Sequence, residues 1–563
     1  MIVPRLIRGL KEIVVAADFY QEPPRLTNQF DDDPLLRSYL AWRLPAEVFA
    51  EVEPALRRLG ERAVTDLLAL DAAAEAMPPR LVSYDPWGRR IDEIVTSDAW
   101  RELDRIAAEE GIVATAYERK HGALSRIDQF AKLYLYAPSS STYSCPLAMT
   151  DGAARLLELY PDPITRRTFE HLTTRDPRFF WTSGQWMTER TGGSDVSRTS
   201  TRAVHDGNEF KLYGTKWFTS ATTSQIAITL AYPSGASELS VFLVRLRDED
   251  GSLRHIRVNR LKDKLGTRAL PTAELTLDGT PAHLIGDTGD GVRKIAAMFN
   301  VTRVYNAVAA VAGMRRAIAL ARDYATRRVA FGKPLSAHPL HAETLASLEM
   351  EWRAGFQLAF QVAELLGRQE CNSATPEDLA LLRLLIPVAK LYTAKQAVAV
   401  ASEALECFGG AGYIEDTGLP RLLRDAQVLS IWEGTTNVLS LDVLRAMEKT
   451  SGFEAFLDDA GRRCDQLVRE PLGGAVMRVR EVVGRLAALA EQMRGEGRAF
   501  AEQRARGFSF TIARIMAALL LLEHADWALA NGDEEPARWA MRWCARDLAA
   551  AITNEEGPVP SPG

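Results

Sequence analysis

The sequence predicts an α+β multidomain protein that runs from helices to a sheet and back to helices, with an added helical segment at its end. Three observations carry this. From about Pro45 to Tyr160 apolar residues recur every three or four positions, as in Ala99–Lys120, AWRELDRIAAEEGIVATAYERK, which is helical periodicity. Between roughly Gly184 and Gly286 short β-branched and aromatic runs (EFKLYGTKWFTS, QIAITLAY, LSVFLVRL, AELTL) are separated by DG and SG turns, the pattern of an antiparallel sheet or barrel. Helical spacing then returns over Val292–Val329, His338–Leu366 and Thr375–Glu406, pieces long enough to predict a long-helix bundle.

In chain order, residues 1–40 form an N-terminal arm, within which Gln21–Pro34 is proline-rich, acidic and read as extended chain outside the core. The first residues are apolar but interrupted by Arg5, Arg8, Lys11 and Glu12, and no small-residue cleavage site follows, so they do not read as a secretory signal. Residues 41–183 make the N-terminal helical domain and 184–288 the central β domain. Residues 289–450 make the helical bundle, including a stretch Asp425–Met447 broken at WEGTTN. Residues 451–563 are a C-terminal helical extension ending in VPSPG. The longest apolar run, around Ile515–Leu522, is too short to span a bilayer, so no membrane span is expected.

Composition narrows the function classes. With 563 residues, 47% hydrophobic, 25% charged and a net charge of −6, the chain is a soluble multidomain protein with no overall attraction for nucleic acid or anionic membrane. Five dispersed cysteines suit reduced thiols and a cytoplasmic location. Eight scattered histidines include no zinc-site spacing, so no metal is expected. The strands are contiguous rather than alternating with helices, which excludes a dinucleotide site of the βαβ type. In that context the glycine clusters Gly286–Gly291 and Phe408–Gly412 read, on their own, as ordinary turn glycines.

Four segments say more. They are GQWMTERTGGSDV (Gly184–Val196), KWFTS (Lys216–Ser220), RRVAFGKPL (Arg327–Leu335) and FGGAGYIEDTGLPRLLRDAQVLSIWEGTTN (Phe408–Asn437). In order, spacing and context they resemble the acyl-CoA dehydrogenase family over about Pro79–Met447. The phrases RLVSYDPWGRRIDEI (Arg80–Ile94) and SCPLAMT around Cys145, with the terminal extension, resemble the branch that contains the adaptive-response protein AidB.

The resemblance implies FAD-dependent oxidation of an acyl-CoA thioester to the 2,3-enoyl-CoA, with electrons passed to an external acceptor of the electron-transfer flavoprotein kind. That chemistry needs a base for the α-proton and an acceptor for the β-hydride. The family's usual base is the Glu of the E-G-T phrase, which is Glu433 here. The alternative position, on the long helix just before Arg303, is Thr302, which cannot serve. Taken alone, Glu433 reads equally well as an exposed helix cap. Met187, Thr188, Trp217, Phe218 and Thr219 correspond to segments lining the flavin, with Trp432 beside them, although Trp217 and Phe218 also read as sheet-core aromatics.

Arg328 and Phe331 correspond to residues that reach the FAD of a neighbouring subunit, which implies a homo-oligomer, a tetramer. Gly409 and Gly410 would allow close approach of the backbone to the cofactor, and Thr435 and Asn437 match its phosphate- and adenine-proximal contacts. Glu406 and Asn437 each stand where Gln is usual. Ser194 matches a contact to FAD and to the pantetheine arm. Asn300, which replaces Asp, and Arg303 match the CoA-binding mouth. The AidB branch also suggests a flavoprotein that acts by binding, either protecting DNA or sequestering acyl-CoA. Against DNA, Ser451–Gly563 holds fourteen Arg and no Lys against seventeen Asp and Glu. Its arginine-rich run Arg478–Arg506 reads as a solvated face.

Overall fold

The computed structural model describes residues 21–207 and 209–549; the expectations for the first twenty residues and for the VPSPG tail lie outside the described residues. Helices fill the N-terminal part from Pro34–Arg43 to Pro163–Leu172, and the sheet follows between Ser183 and Leu284. Three long helices come next: Ala296–Arg327, Pro339–Glu370 and Pro376–Glu406. Two shorter ones, Pro420–Leu429 and Thr436–Lys449, complete the bundle, and four more between Gly452 and Cys544 form the extension.

Local chemistry sets several boundaries. Asp162 caps Pro163–Leu172 in a reciprocal box with Thr165, and Thr375 does the same with Asp378 before Pro376. In both cases a proline at the first helical position supplies a preset φ where no N–H donor is needed. Asp33 caps Pro34–Arg43 by accepting from the Leu36 N–H.

Two expectations need correction. Within the supposedly all-helical N-terminal domain, Arg80–Tyr84 and Arg90–Val95 pair as an antiparallel hairpin. The β-branched and aromatic residues of RLVSY and RIDEIV, with a turn at DPWG between them, outweigh the helical period of the flanking sequence. The arm is non-helical as read from Gln21 to Asp33, with Pro34 opening the first helix, but Phe30 is fully buried in the main core, so the arm is not wholly outside it.

The central strands close on themselves. Ile226–Pro233 pairs with Arg202–Asp206, then Glu209–Ser220, Thr272–Leu284 and Ser240–Arg245 follow, and the last pairs back to Ile226–Pro233. Ser183–Trp186 and Ile256–Leu261 join the ring from outside. Most pairings are antiparallel; Ser183–Trp186 and Arg202–Asp206 run parallel to Ile226–Pro233. Trp186, Leu212, Phe242 and Val244 fill the interior as a core of their own.

The main core runs without a break from the N-terminal helices through the bundle into the extension. Gly291–Arg327, Pro376–Glu406 and Arg498–Ala530 are long and apolar enough by composition to cross a bilayer. Their apolar stretches are nonetheless 67%, 78% and 78% buried within the protein, so the bundle interior accounts for that composition.

At the centre of this core lies a charge. Arg126, on the wholly buried helix Ser125–Tyr136, donates to Glu370 at 2.6 and 2.8 Å and to Asp151 at 2.6 and 3.0 Å. Its side chain is 2% exposed. Asp151 in turn accepts from the hydroxyls of Tyr117 and Tyr305 at 2.8 and 2.9 Å. Arg126→Met would leave Asp151 buried without its cation and Glu370 with only Arg155, 3.8 Å away. We expect a loss of about 3–5 kcal/mol in stability by denaturant unfolding.

Candidate active site

Between Pro420–Leu429 and Thr436–Lys449 the chain leaves helical geometry. Ile431 and Trp432 still donate their N–H groups to the carbonyl of Val428. Glu433 then turns into the left-handed region, with φ +57°, and Gly434 follows at φ +104°. Gly434 is required twice over, because a Cβ there would also meet Leu439 Cδ2 at 2.9 Å. Thr435 ends the turn as the N-cap of the next helix.

This turn aims the Glu433 carboxylate at the helix Ala296–Arg327 and the strand Ser183–Trp186. The Thr302 hydroxyl donates to Oε2 at 2.7 Å, and the Gln185 amide lies 3.2 and 3.4 Å from the two oxygens. The carboxylate faces a cavity of about 420 Å³ walled by Met187, Thr188, Phe218 and Ser220 from the β domain and by Phe299, Asn306 and Trp432 from the bundle. Trp432 donates its indole N–H to Asn306 Oδ1. Asn306 Nδ2 and Gln185 Oε1 are left buried without a protein partner, one donor and one acceptor available to a bound molecule.

The two β-domain motifs are joined by a buried ion pair. Lys216 Nζ donates to Glu189 Oε1 at 2.8 Å, and Glu189 also accepts from the backbone and hydroxyls of Ser200 and Thr201. Burial pushes the Glu189 carboxyl up, but Lys216 and these hydrogen bonds outweigh it and hold it at about 2. Nearby, the Trp217 N–H donates to the Thr188 carbonyl at 2.9 Å.

Comparison with known proteins matches four stretches of the chain. Residues 289–448 match the acyl-CoA dehydrogenase C-terminal domain and 184–280 its middle domain. Residues 21–176 match the N-terminal domain of the adaptive response protein AidB, and 453–559 match an acyl-CoA dehydrogenase 11 C-terminal domain-like model. Acyl-CoA dehydrogenase family member 11 of Caenorhabditis elegans is 44% identical over 93% of this chain and 88% of its own. The chain belongs to the acyl-CoA dehydrogenase family. The putative acyl-CoA dehydrogenase AidB of Escherichia coli K12 is 34% identical over 74% of this chain and 80% of its own, which places the protein in the AidB-like branch. The crystal structure of the C. elegans protein in complex with C11-CoA superposes with a TM-score of 0.92, at 41% identity over 98% of this chain and 96% of that one.

The cavity fits the ring system of FAD, the family's cofactor. Its walls offer the Thr188 and Ser220 hydroxyls for a polar edge, Met187 and Phe218 for an apolar face, and the unpartnered Gln185 and Asn306 atoms. Of the residues singled out from the sequence, Met187, Thr188, Ser194, Phe218, Asn300, Arg303, Trp432 and Glu433 all line it.

Trp217 and Thr219 do not, which corrects the reading of KWFTS. A bulge opposite Thr272–Leu284 falls between Lys216 and Thr219, and strand alternation then gives Phe218 and Ser220 the cavity face. Trp217 is covered by Lys262, whose ammonium lies 3.6 Å from its ring centroid, and the Thr219 hydroxyl donates to the Ala273 carbonyl at 2.8 Å. Arg303 lines the cavity, but its guanidinium donates to Asp442 at 2.9 Å, where Arg383 also binds at 2.6 Å. Asp442 is pushed up by burial, yet Arg303 and Arg383 hold it below the usual carboxylate range.

Arg328, Phe331, Gly409 and Gly410 lie apart from the cavity, at one end of the bundle where Tyr324 packs on Phe408. Phe331 is 97% exposed, and a Cβ on Gly409 or Gly410 would meet nothing within 4 Å. Asn437 is exposed on the first turn of its helix. In the C-terminal arginine run, Arg480 pairs with Asp465, Arg494 with Glu454 and Glu491, and Arg498 with Glu502. Sequence reasoning passed over Gln185, Asn306 and Lys390. Lys390 carried a signal, as a single cation within a long apolar helical run.

The Glu189–Lys216 pair makes acid sensitivity predictable. A carboxyl held at about 2 against an ordinary 4.5 contributes stability above about pH 4.5 and loses it as pH falls toward 2. Glu189→Gln should be destabilised at neutral pH by about 3–5 kcal/mol, because Lys216 stays buried without its partner. Guanidinium unfolding at a series of pH values should show the gap to wild type narrowing below pH 4.5.

Proposed function

We propose that the protein oxidises acyl-CoA thioesters to 2,3-enoyl-CoA products with Glu433 as the base that removes the α-proton. The observation that supports this most is the position of the Glu433 carboxylate, held by Thr302 and Gln185 on the wall of a cavity that fits the flavin. FAD, when bound, supplies the acceptor for the β-hydride and a store for the two electrons. The protein's own residues do the rest. The left-handed turn and its two hydrogen bonds set the carboxylate's direction before substrate arrives, which is the part of catalysis that positioning provides. Substrate filling the cavity displaces water from around it, and a carboxylate with fewer water contacts is the stronger base.

The complex of the C. elegans relative with C11-CoA makes a medium-chain acyl-CoA the first substrate to test. We further propose a homotetramer in fatty acid metabolism, with electrons passing to an electron-transfer flavoprotein. Exposed Phe331, Val329 and Leu340 support assembly at the bundle end.

Purified protein should be yellow, with about one FAD per chain, and C11-CoA should bleach it anaerobically. Glu433→Gln should retain FAD and bind C11-CoA while reducing its flavin about 10²–10⁴-fold more slowly in stopped flow. Reduction at the wild-type rate would place the base elsewhere, and binding without any reduction in wild type would mark an acyl-CoA-binding flavoprotein instead. Arg328→Ala should weaken FAD retention by about 1.5–3 kcal/mol if this charge contacts the cofactor across a subunit boundary, read by flavin release on dilution.

A further inference from the structure

The turn that carries Glu433 exposes three successive carbonyls, at residues 432, 433 and 434, inside the bundle. None of the three lies in a helix or strand, and each is met by a cation. Lys390 Nζ donates to the Trp432 carbonyl at 2.6 Å and to the Gly434 carbonyl at 2.7 Å. Arg303 Nε donates to the carbonyl between them, that of Glu433, at 3.3 Å. Lys390 is fully buried midway along Pro376–Glu406, a helix whose central residues from Leu384 to Ala394 are all buried. A buried ammonium in such surroundings is retained only where it has work to do.

We propose that Lys390 is a positioning residue for the base: by holding the carbonyls on both sides of Glu433 it fixes the strained turn and thereby the direction of the carboxylate. The inference rests on the reading of Glu433 as the base. The chain conformation at Glu433, with φ +57°, is one that a residue with a Cβ keeps only when its surroundings impose it. Lys390 and Arg303 are those surroundings on the backbone side, and Thr302 and Gln185 supply the side-chain half.

The arrangement also gives the site a pH response. Glu433, from the turn, and Arg303, from Ala296–Arg327, are the charged groups that act on Lys390; Arg303 in turn shares Asp442 with Arg383. Burial lowers the Lys390 ammonium most, Glu433 raises it and Arg303 lowers it, leaving it at about 7. Below that pH both bonds are charge-assisted. Above it the amine keeps two N–H donors for two carbonyls, so the clamp weakens without opening.

The test reads proton abstraction separately from electron transfer. 3,3-Dimethylbutyryl-CoA has α-protons but no β-hydrogen, so in D2O it reports only on the base, through α-deuterium exchange followed by mass spectrometry. C11-CoA then reports flavin reduction in the same variants. Lys390→Met should retain FAD and bind the probe within about threefold of wild type, while exchange and reduction both fall about 10–100-fold, the scale of a small misplacement of a catalytic group. Lys390→Gln, which keeps amide donors, should recover part of the loss. Wild-type exchange should decline by about 2–10-fold as pH rises from 6 to 8.5, with the weakening of a charge-assisted bond, and that decline should be absent in Lys390→Met.

Exchange at the wild-type rate in Lys390→Met overturns the proposal, as does a loss of rate that comes with equal loss of FAD or probe binding. If Lys390→Met does not fold, Lys390→Gln decides: a wild-type rate with a wild-type pH profile overturns it. Glu433→Gln separates the two readings. Wild-type exchange in Glu433→Gln defeats the base assignment itself; an inactive Glu433→Gln beside a fully active Lys390→Met defeats only the role of Lys390.

Discussion

A carbonyl that leaves a helix inside a protein still needs a donor, and around Glu433 three in a row leave at once. Two neighbouring long helices supply those donors through Lys390 and Arg303. Much of the architecture serves to keep those helices in place. Thr375 starts one of them sharply, and Tyr305, two residues after Arg303, ties the other to Asp151 and through it to Arg126. The position of one carboxylate is thus fixed by charges that belong to three different parts of the chain.

Two of the buried charge clusters sit at junctions. Arg126 joins the N-terminal helices to Pro339–Glu370. Lys216 and Glu189 join two motifs that lie 27 residues apart in the β domain. Such pairs add little net stability over well-packed apolar groups, but removing one partner is costly. Each therefore commits its junction to one geometry, which is what a cavity assembled from two domains requires.

Much of this was legible beforehand. The order of helices and strands and the three long helices, to within a few residues of their ends, followed from periodicity, and the grouping of Glu433, Met187, Thr188 and Trp432 from the family resemblance that their motifs carry. What was not legible has physical reasons. The hairpin at Arg80–Val95 is too short to interrupt a helical period averaged over many residues. The exchange of Trp217 and Thr219 for Phe218 and Ser220 depends on a one-residue bulge, and a motif read as a string carries no strand parity. Lys390 meets the turn 42 and 44 positions away, a pairing that only the packed bundle creates. Thr302 was set aside because it cannot take a proton, yet its hydroxyl is the shortest contact the Glu433 side chain makes.

That last contact bears on how such a site can change over time. The family resemblance implies a base either on the turn or on the long helix at the place occupied here by Thr302. In this protein the two places are one hydrogen bond apart, 2.7 Å from hydroxyl oxygen to carboxylate oxygen. They are two addresses for the same point in space, approached from opposite walls. On the reading of Glu433 as the base, what the chemistry needs is a carboxylate at the point where the two walls meet, whichever wall carries it.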